Sequence, residues 1–312
     1  MTSAAVESNT IGFIRRIPGH GRLALGGGFV ALMLLVCIVS LPWTNAPGGT
    51  LYYNNQESTE ARRPPRIDNG PKYWFGTDGL GRSLLGRCLI GGAISLLIGA
   101  SAALISVVLG VSVGLIAGYR GGWVDGLLMR MVDVLYGLPY ILMVILFKIA
   151  LEPLLQRFMG ENAANLVVLF LAIGLVSWLT MARVVRGQVM SLRTQPFVEA
   201  ARACGAKESR IFIRHLLPNL AGPIIVYATL TIPSAILQES FLSFLGVGIK
   251  APMPTWGSLA SDGLMPALNT IHSRWWMLVF PCTLLALTLL SLNFLGDGLR
   301  DLLDTRDSKL ET

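Results

Sequence analysis

Long uncharged apolar runs alternate along this chain with short segments that hold most of its charges. A run of about 20 apolar residues is long enough to cross the roughly 30 Å hydrocarbon core of a membrane as a helix. The pattern predicts spans at Leu23 to Trp43, Cys88 to Tyr119, Leu127 to Leu151, Asn162 to Arg183, Leu216 to Gln238 and Trp275 to Gly296. The third is the least regular, because it contains Arg130, Asp133 and Lys148. The expected fold is therefore all-α: a polytopic membrane protein with six transmembrane helices.

Composition supports the same class. Only 14% of the 312 residues are charged, whereas soluble domains hold about 25%. The first apolar run exceeds the 7–15 residues typical of a signal-peptide core, and no clean cleavage site follows it, so we expect an uncleaved anchor.

The distribution of Lys and Arg predicts the orientation. Basic residues are more frequent in the segments that would be cytoplasmic if both termini were inside, and positive loops tend to stay inside. This N-in/C-in topology divides the chain into a cytoplasmic N-terminal segment 1–22, a first transmembrane helix 23–43, an extracytoplasmic loop 44–88, a five-helix core 89–296 that includes the cytoplasmic loop 183–217, and a cytoplasmic tail 297–312.

Motifs for catalysis or nucleotide binding are absent from the sequence. No Gly-Lys dipeptide occurs, which excludes a P-loop, and the dispersed Cys and His residues have no metal-ligand spacing. We therefore expect no catalytic, cofactor or metal site in this chain. The energy for any transport must come from an ion gradient or from a partner.

Ionisable residues within or at the ends of the predicted spans are few. Lys148 and Glu152 stand at i,i+4, and Arg130 and Asp133 at i,i+3, so we expect each pair to neutralise itself on one helix face. The alternative is a proton relay, since charges at membrane depth are often functional. The candidates for a translocation path are Asp133, Gln238 and Glu239.

A strip of small residues repeats every four positions in the second span. Its members are Ala102, Ser106, Gly110, Gly114 and Gly118. Small side chains on one face allow two helices to approach closely. The strip could form a subunit interface or pore wall, or it could pack within the same bundle; the sequence leaves both open.

A basic segment, 197-FVEAARACGAKESRIFIRHLLPN-219, lies between two apolar runs. Thr194 is a candidate cap for a first helix, Pro196 suits its first turn, and Gly205 is placed to end it. A second helical stretch is predicted from about Lys207 to Leu217, ending at Pro218. The predicted apolar face of the first helix is mostly small (Phe197, Ala200, Ala201 and Cys204), which favours docking into a protein groove over binding to anionic lipid.

This segment resembles the EAA loop of permease subunits in binding-protein-dependent ABC importers, and we call residues 197–219 the EAA segment. The resemblance rests on Glu199-Ala200-Ala201, Gly205 and Leu217-Pro218, with His215 where isoleucine is usual. Further stretches resemble the C-type permeases of oligopeptide and dipeptide importers. They are 75-FGTDGLGRS-83, 176-VSWLTMARVVRGQVMSL-192, 239-ESFLSFLGVGIKAPMPTWGSLASDG-263 and 293-NFLGDGLRDLLD-304, with departures at Ser83 and Thr305.

The resemblance implies a type I ABC importer permease fold and a transporter rather than an enzyme. Glu199, Ala200, Ala201, Gly205, Leu217 and Pro218 would couple the chain to an ATPase. The implied partners are a B-type permease, two ATPase subunits that bind ATP and Mg, an extracytoplasmic peptide-binding protein, membrane lipid and the peptide substrate, but no nucleic acid. Other cargoes of this branch (nickel chelates, glutathione, heme), an ion-coupled carrier and a membrane scaffold remain as alternatives.

Overall fold

The computed structural model describes residues 19–308, and this part of the chain is helical with no strand beyond an isolated bridge between Thr77 and Ser83. Most of the predicted segment 1–22, and residues 309–312 of the predicted tail, lie outside the described residues. The α-helices are α1 (Gly19–Thr44), α2 (Leu84–Arg120), α3 (Gly122–Tyr136), α4 (Tyr140–Met159), α5 (Glu161–Leu192), α6 (Pro196–Ala203), α7 (Glu208–Ile211), α8 (Leu217–Phe244), α9 (Trp256–Ala267) and α10 (Trp276–Ser308). The all-α prediction is confirmed.

Five stretches of helix among the described residues are long and apolar enough to cross a membrane. They are Gly21–Thr44, Leu84–Arg120, Ala163–Leu192, Glu208–Phe244 and Trp276–Leu303. Each contains most of a predicted span and extends past it by several residues, because the helix continues beyond the uncharged run. The chain is thus polytopic.

The third predicted span, Leu127 to Leu151, is wrong as a continuous helix. The chain breaks between α3 and α4, which are bent by 97° relative to each other, and only if this pair counts as one span do the candidates reach six. Pro139 causes the break, because proline lacks an N–H and restricts the preceding Leu138 to an extended backbone. Pro139 itself precedes α4 as its N-cap.

Helix α5 lies at the centre of the main core. It packs along α2 over much of its length and also contacts α4 and α8, while α1 packs against α10. Fully buried members of this core include Ile98, Val144, Leu169 and Ile173. This bundle is the base on which the EAA segment is held.

The predicted extracytoplasmic loop ends earlier than expected, since α2 already begins at Leu84. Asp78 anchors the loop: its carboxylate accepts hydrogen bonds from Arg82 Nε at 2.7 Å and from an Arg87 terminal nitrogen at 2.6 Å. Burial alone would raise the pKa of Asp78, but the charges of Arg87 and Arg82 hold it below its ordinary value. Trp276 adds a link from α10 by donating its indole N–H to the Thr77 carbonyl at 3.3 Å.

Candidate functional site

The first half of the EAA segment is the short helix α6. Gln195 is its N-cap, with an extended backbone, and Pro196 is its first residue. The expected cap, Thr194, is wrong: its hydroxyl donates instead to the Ser191 carbonyl at 3.0 Å. The hydroxyl therefore satisfies the end of α5 rather than the beginning of α6, a competition that is common for Thr near helix ends.

Gly205 ends this helix in a left-handed turn. Its φ is +74°, which an L-residue with a Cβ adopts only at a cost. The Gly205 N–H donates to the Arg202 carbonyl at 3.0 Å, and the Ala206 N–H donates to the Ala201 carbonyl at 3.1 Å. These two bonds form a Schellman motif, which satisfies carbonyls that the helix end would leave unpaired.

The second half of the EAA segment does not end at Pro218, as the sequence suggested. Helix α7 continues through a π-helical turn at Phe212–Leu216 into α8, so Pro218 lies in the first turn of α8. Pro218 has no N–H to donate to a carbonyl of the preceding turn. Nearby, Asn219 donates its side-chain amide to the His215 carbonyl at 2.6 Å. The second half of the segment and the span beyond it are consequently one continuous helix, Glu208–Phe244.

The inner face of the EAA segment is packed onto the bundle. Val198, Ile211 and Leu216 are buried in a cluster that includes Val185 and Val189 of α5. The end of α2 adds an aromatic contact, because the rings of Tyr119 and Phe212 meet edge to face at 4.6 Å. The inner face is therefore in contact with the ends of both α2 and α5.

The outer face is open. Phe197, Glu199, Ala200 and Cys204 are all exposed, and only Ala201 of the expected apolar face is partly covered. A Cβ built on Gly205 would have no neighbouring atom within 4 Å. Small exposed side chains around a carboxylate are available for contact with another protein.

The strip of small residues faces α5 of the same chain. A Cβ on Gly110 would lie 2.5 Å from the Met181 Cβ, one on Gly114 would lie 2.7 Å from the Ala182 carbonyl oxygen, and one on Gly118 would lie 2.8 Å from the Arg186 carbonyl oxygen. Ala102 and Ser106 are fully buried, and the Ser106 hydroxyl donates to the Ser177 carbonyl at 3.1 Å. The structure thus places the strip within the bundle.

The charges in the third predicted span do not pair as expected. Lys148 donates to the Val247 and Gly248 carbonyls at 2.6 and 2.8 Å, while Glu152 accepts from Lys250 at 2.7 Å. All three partner residues come from the loop after α8.

Asp133 likewise pairs with another helix. It accepts from Arg183 of α5 at 2.8 Å, and the Arg183 guanidinium lies 4.1 Å from the centre of the Tyr136 ring. The prediction of local neutralisation with Arg130 is therefore wrong.

The remaining path candidates lie in different surroundings. Glu239 is fully buried, and one of its oxygens accepts from Ser243 at 2.6 Å and from Thr255 at 2.7 Å. Gln238 lines a cavity at the bend between α3 and α4, together with Tyr140. Sequence reasoning missed this cavity, although the Leu138-Pro139 dipeptide was the signal for its bend.

Comparison with known proteins identifies the family. Residues 110–309 match the model of the binding-protein-dependent transport system inner membrane component. The dipeptide transport system permease protein DppC of Bacillus subtilis (strain 168) is 44% identical over 91% of this chain and 82% of its own length. The oligopeptide transport system permease protein OppC of Escherichia coli (strain K12) is 42% identical over 94% of this chain and 90% of its own.

A solved structure shares the fold. An inward-facing conformation of the MetNI methionine ABC transporter aligns with a TM-score of 0.54 at 17% identity, over 68% of this chain and 94% of that chain. At this identity the likeness concerns the fold alone. The resemblance inferred from the EAA segment is confirmed at the level of the family, and the chain belongs to the inner membrane components of binding-protein-dependent transport systems.

Proposed function

We propose that this chain is the permease subunit of an ATP-driven importer of oligopeptides or dipeptides, where it forms half of the translocation path. It is a multi-pass inner membrane protein of a transport family. Relatives at 41–46% identity are named as oligopeptide or dipeptide transport permeases, and they match most of this chain. Their names support peptides as the cargo.

The observation that carries the coupling role is the two-sided EAA segment. Its inner face is buried against α5 and the end of α2, whereas its outer face exposes Glu199, Ala200 and Gly205. A helix fixed on one side and open on the other can transmit a push from a partner to the spans behind it. We infer that this outer face docks in a groove of an ATPase subunit.

The proposed assembly contains this chain, a B-type permease, two ATPase subunits and an extracytoplasmic peptide-binding protein. ATP and Mg would be bound by the ATPase subunits, because this sequence has no P-loop. An ion-coupled carrier is less well supported, since Lys148 and Glu152 are engaged by the loop after α8 rather than placed along a relay.

The orientation proposed is N-in/C-in, with the EAA segment in the cytoplasm. Cysteine placed at the exposed Ser209 should then resist an impermeant maleimide in intact cells, whereas cysteine at the exposed Ser273 should react. Reversed labelling would reject both the orientation and the coupling role.

Reconstitution tests the function itself. The complete complex in proteoliposomes should import a labelled tripeptide only when ATP, the binding protein and both ATPase subunits are present. The same vesicles without ATPase subunits, but with an imposed proton or sodium gradient, are the control. Uptake driven by the gradient alone would establish an ion-coupled carrier instead.

A further inference from the structure

We propose that the cavity at the bend between α3 and α4 binds a stretch of peptide main chain during transit. This inference rests on the proposed function and assigns one contact site to it. The cavity has a volume of about 350 Å³ and is lined by residues of α3, α4, α5 and α8 and by Leu138 of the bend. That volume is at the lower end of the range for small-molecule sites, so it suits a few residues of an extended peptide rather than a whole oligopeptide.

Two polar atoms in the cavity wall lack partners. The Tyr140 hydroxyl and the Gln238 side-chain oxygen are buried and form no hydrogen bond with any described residue. Buried polar groups are rarely left in this state, because an unmade hydrogen bond costs free energy. A ligand that brings both donors and acceptors would satisfy them.

The peptide main chain supplies that chemistry in every residue. Each non-proline residue carries one N–H donor and one carbonyl acceptor, whatever its side chain. The Gln238 amide can offer its oxygen or its nitrogen by rotation about its last torsion, which is soft, and the Tyr140 hydroxyl can donate or accept. Neutral contacts of this kind would tolerate different peptide sequences.

The beginning of α4 adds further donors. Tyr140 is the first residue of α4, and the Pro139 N-cap makes no side-chain hydrogen bond to the helix. The first-turn N–H groups of a helix have no partner within the helix, and this end carries partial positive charge. A peptide carbonyl or terminal carboxylate would be favoured there.

One residue of the cavity wall also contacts a charged pair. Tyr136 lines the cavity, its ring lies beneath Arg183, and Arg183 pairs with Asp133. The side chains of Arg183 and Asp133 are 37% and 61% exposed. Exposed charges are costly in hydrocarbon, so this face borders an aqueous path, a partner subunit or lipid headgroups rather than lipid acyl chains.

The first test removes the unpartnered groups. Tyr140→Phe deletes only the hydroxyl, and Gln238→Leu deletes the amide at similar volume. In the reconstituted complex, each should lower tripeptide uptake at subsaturating peptide about two- to tenfold, the range expected for one hydrogen bond. The matched control is Tyr227→Phe, because Tyr227 is on α8, exposed and outside the cavity; it should import at the wild-type rate.

The second test keeps both groups and asks whether peptide enters. Thr180→Cys places a thiol in the cavity wall, and Leu237→Cys places one on the exposed side of α8. During turnover, tripeptide should slow modification by a small methanethiosulfonate only at position 180.

Equal labelling with and without peptide, or a Tyr140→Phe, Gln238→Leu double variant that imports at the wild-type rate, would overturn this site. The proposed function would survive that result, since the wild-type complex would still import peptide with ATP. Absence of ATP-dependent uptake by the wild-type complex would instead reject the proposed function.

Discussion

Glycines serve opposite purposes in two regions of this protein. On α2, Gly110, Gly114 and Gly118 face α5 so closely that any Cβ would lie within 2.8 Å of its atoms. At the end of α6, Gly205 has empty space around it but a φ of +74°. The first set is required by packing and the second by backbone conformation.

The difference separates a fixed interface from an open one. The face between α2 and α5 is already packed within this chain, so its glycines are required by the atoms of α5 that lie against them. On the outer face of the EAA segment, no atom of the described residues would lie within 4 Å of a Cβ at Gly205. This surface is therefore open to contact with another protein. Substitutions at these positions should therefore disturb different properties.

The largest effect should come from reversing the charge of Glu199 on the outer face of the EAA segment, here called the open face. With Glu199→Arg, an ATPase groove that pairs the carboxylate would meet a like charge, and by analogy with other interfacial charge pairs docking should weaken by about 2–5 kcal/mol. Co-purification of the ATPase subunits and peptide-stimulated ATP hydrolysis measure this loss. Thermal stability of the permease itself should not change.

Asp68→Arg is the matched control for that experiment, because Asp68 is an exposed carboxylate in the loop before α2. It should leave ATPase recovery at the wild-type level. If Glu199→Arg also recovers the ATPase normally, the open face is not the docking surface, and binding to anionic lipid becomes the better account.

A somewhat smaller loss of free energy is expected for a substitution in the face between α2 and α5, here called the closed face. Gly114→Leu should force α2 and α5 apart and destabilise the permease by about 1–3 kcal/mol, the range for overpacking. The measurement is thermal unfolding in detergent. Gly28→Leu provides the control, since a Cβ at Gly28 would meet nothing within 4 Å, and equal stability of the two variants would contradict the packing described here.

The backbone requirement at Gly205 can be separated from the space around it. Gly205→Ala should cost about 1–2 kcal/mol of local stability, because a left-handed conformation is strained for alanine, yet a methyl group should still allow docking. Gly205→Trp adds bulk and should lose the ATPase. Loss of the ATPase by both variants would show that docking depends on the turn, whereas normal recovery by both would show that it depends on neither the turn nor close approach.

The smallest effect concerns the hydrogen bond within the closed face. Ser106→Ala removes the bond to the Ser177 carbonyl and should lower stability by about 0.5–1.5 kcal/mol. Ser112→Ala removes only a bond to Val108 in its own helix and should be nearly neutral. Unfolding midpoints that do not differ between the two would argue against a contribution from Ser106.

Features set by local chemistry could be predicted from the sequence. Uncharged runs marked five of the helices, because crossing a membrane requires length and low charge along one segment. Pro196, Glu199 and Gly205 similarly marked α6, since first-turn and C-cap preferences act over a few residues. The family resemblance used Glu199 and Gly205 as well, together with Leu217-Pro218 and the further stretches quoted above.

Features set by contacts between distant residues could not be predicted in this way. Lys148 and Asp133 have candidate partners close in sequence, but the structure pairs them with Gly248 and Arg183 instead. Only the folded bundle determines which long side chains meet. The bend at Pro139 is a different case, because the sequence carried the signal and the length of the apolar run outweighed it.

The ion pairs of Asp78 with Arg82 and Arg87 also determine how the loop before α2 responds to acid. Its pKa is held below the ordinary 3.8, so its ionised form stabilises the fold above that pH, and this contribution is lost only as the pH falls through the lower folded-state value. At about pH 5 the contribution is therefore complete. Under the proposed orientation this loop is extracytoplasmic, so its attachment to α2 would persist through mild acidification on that side of the membrane.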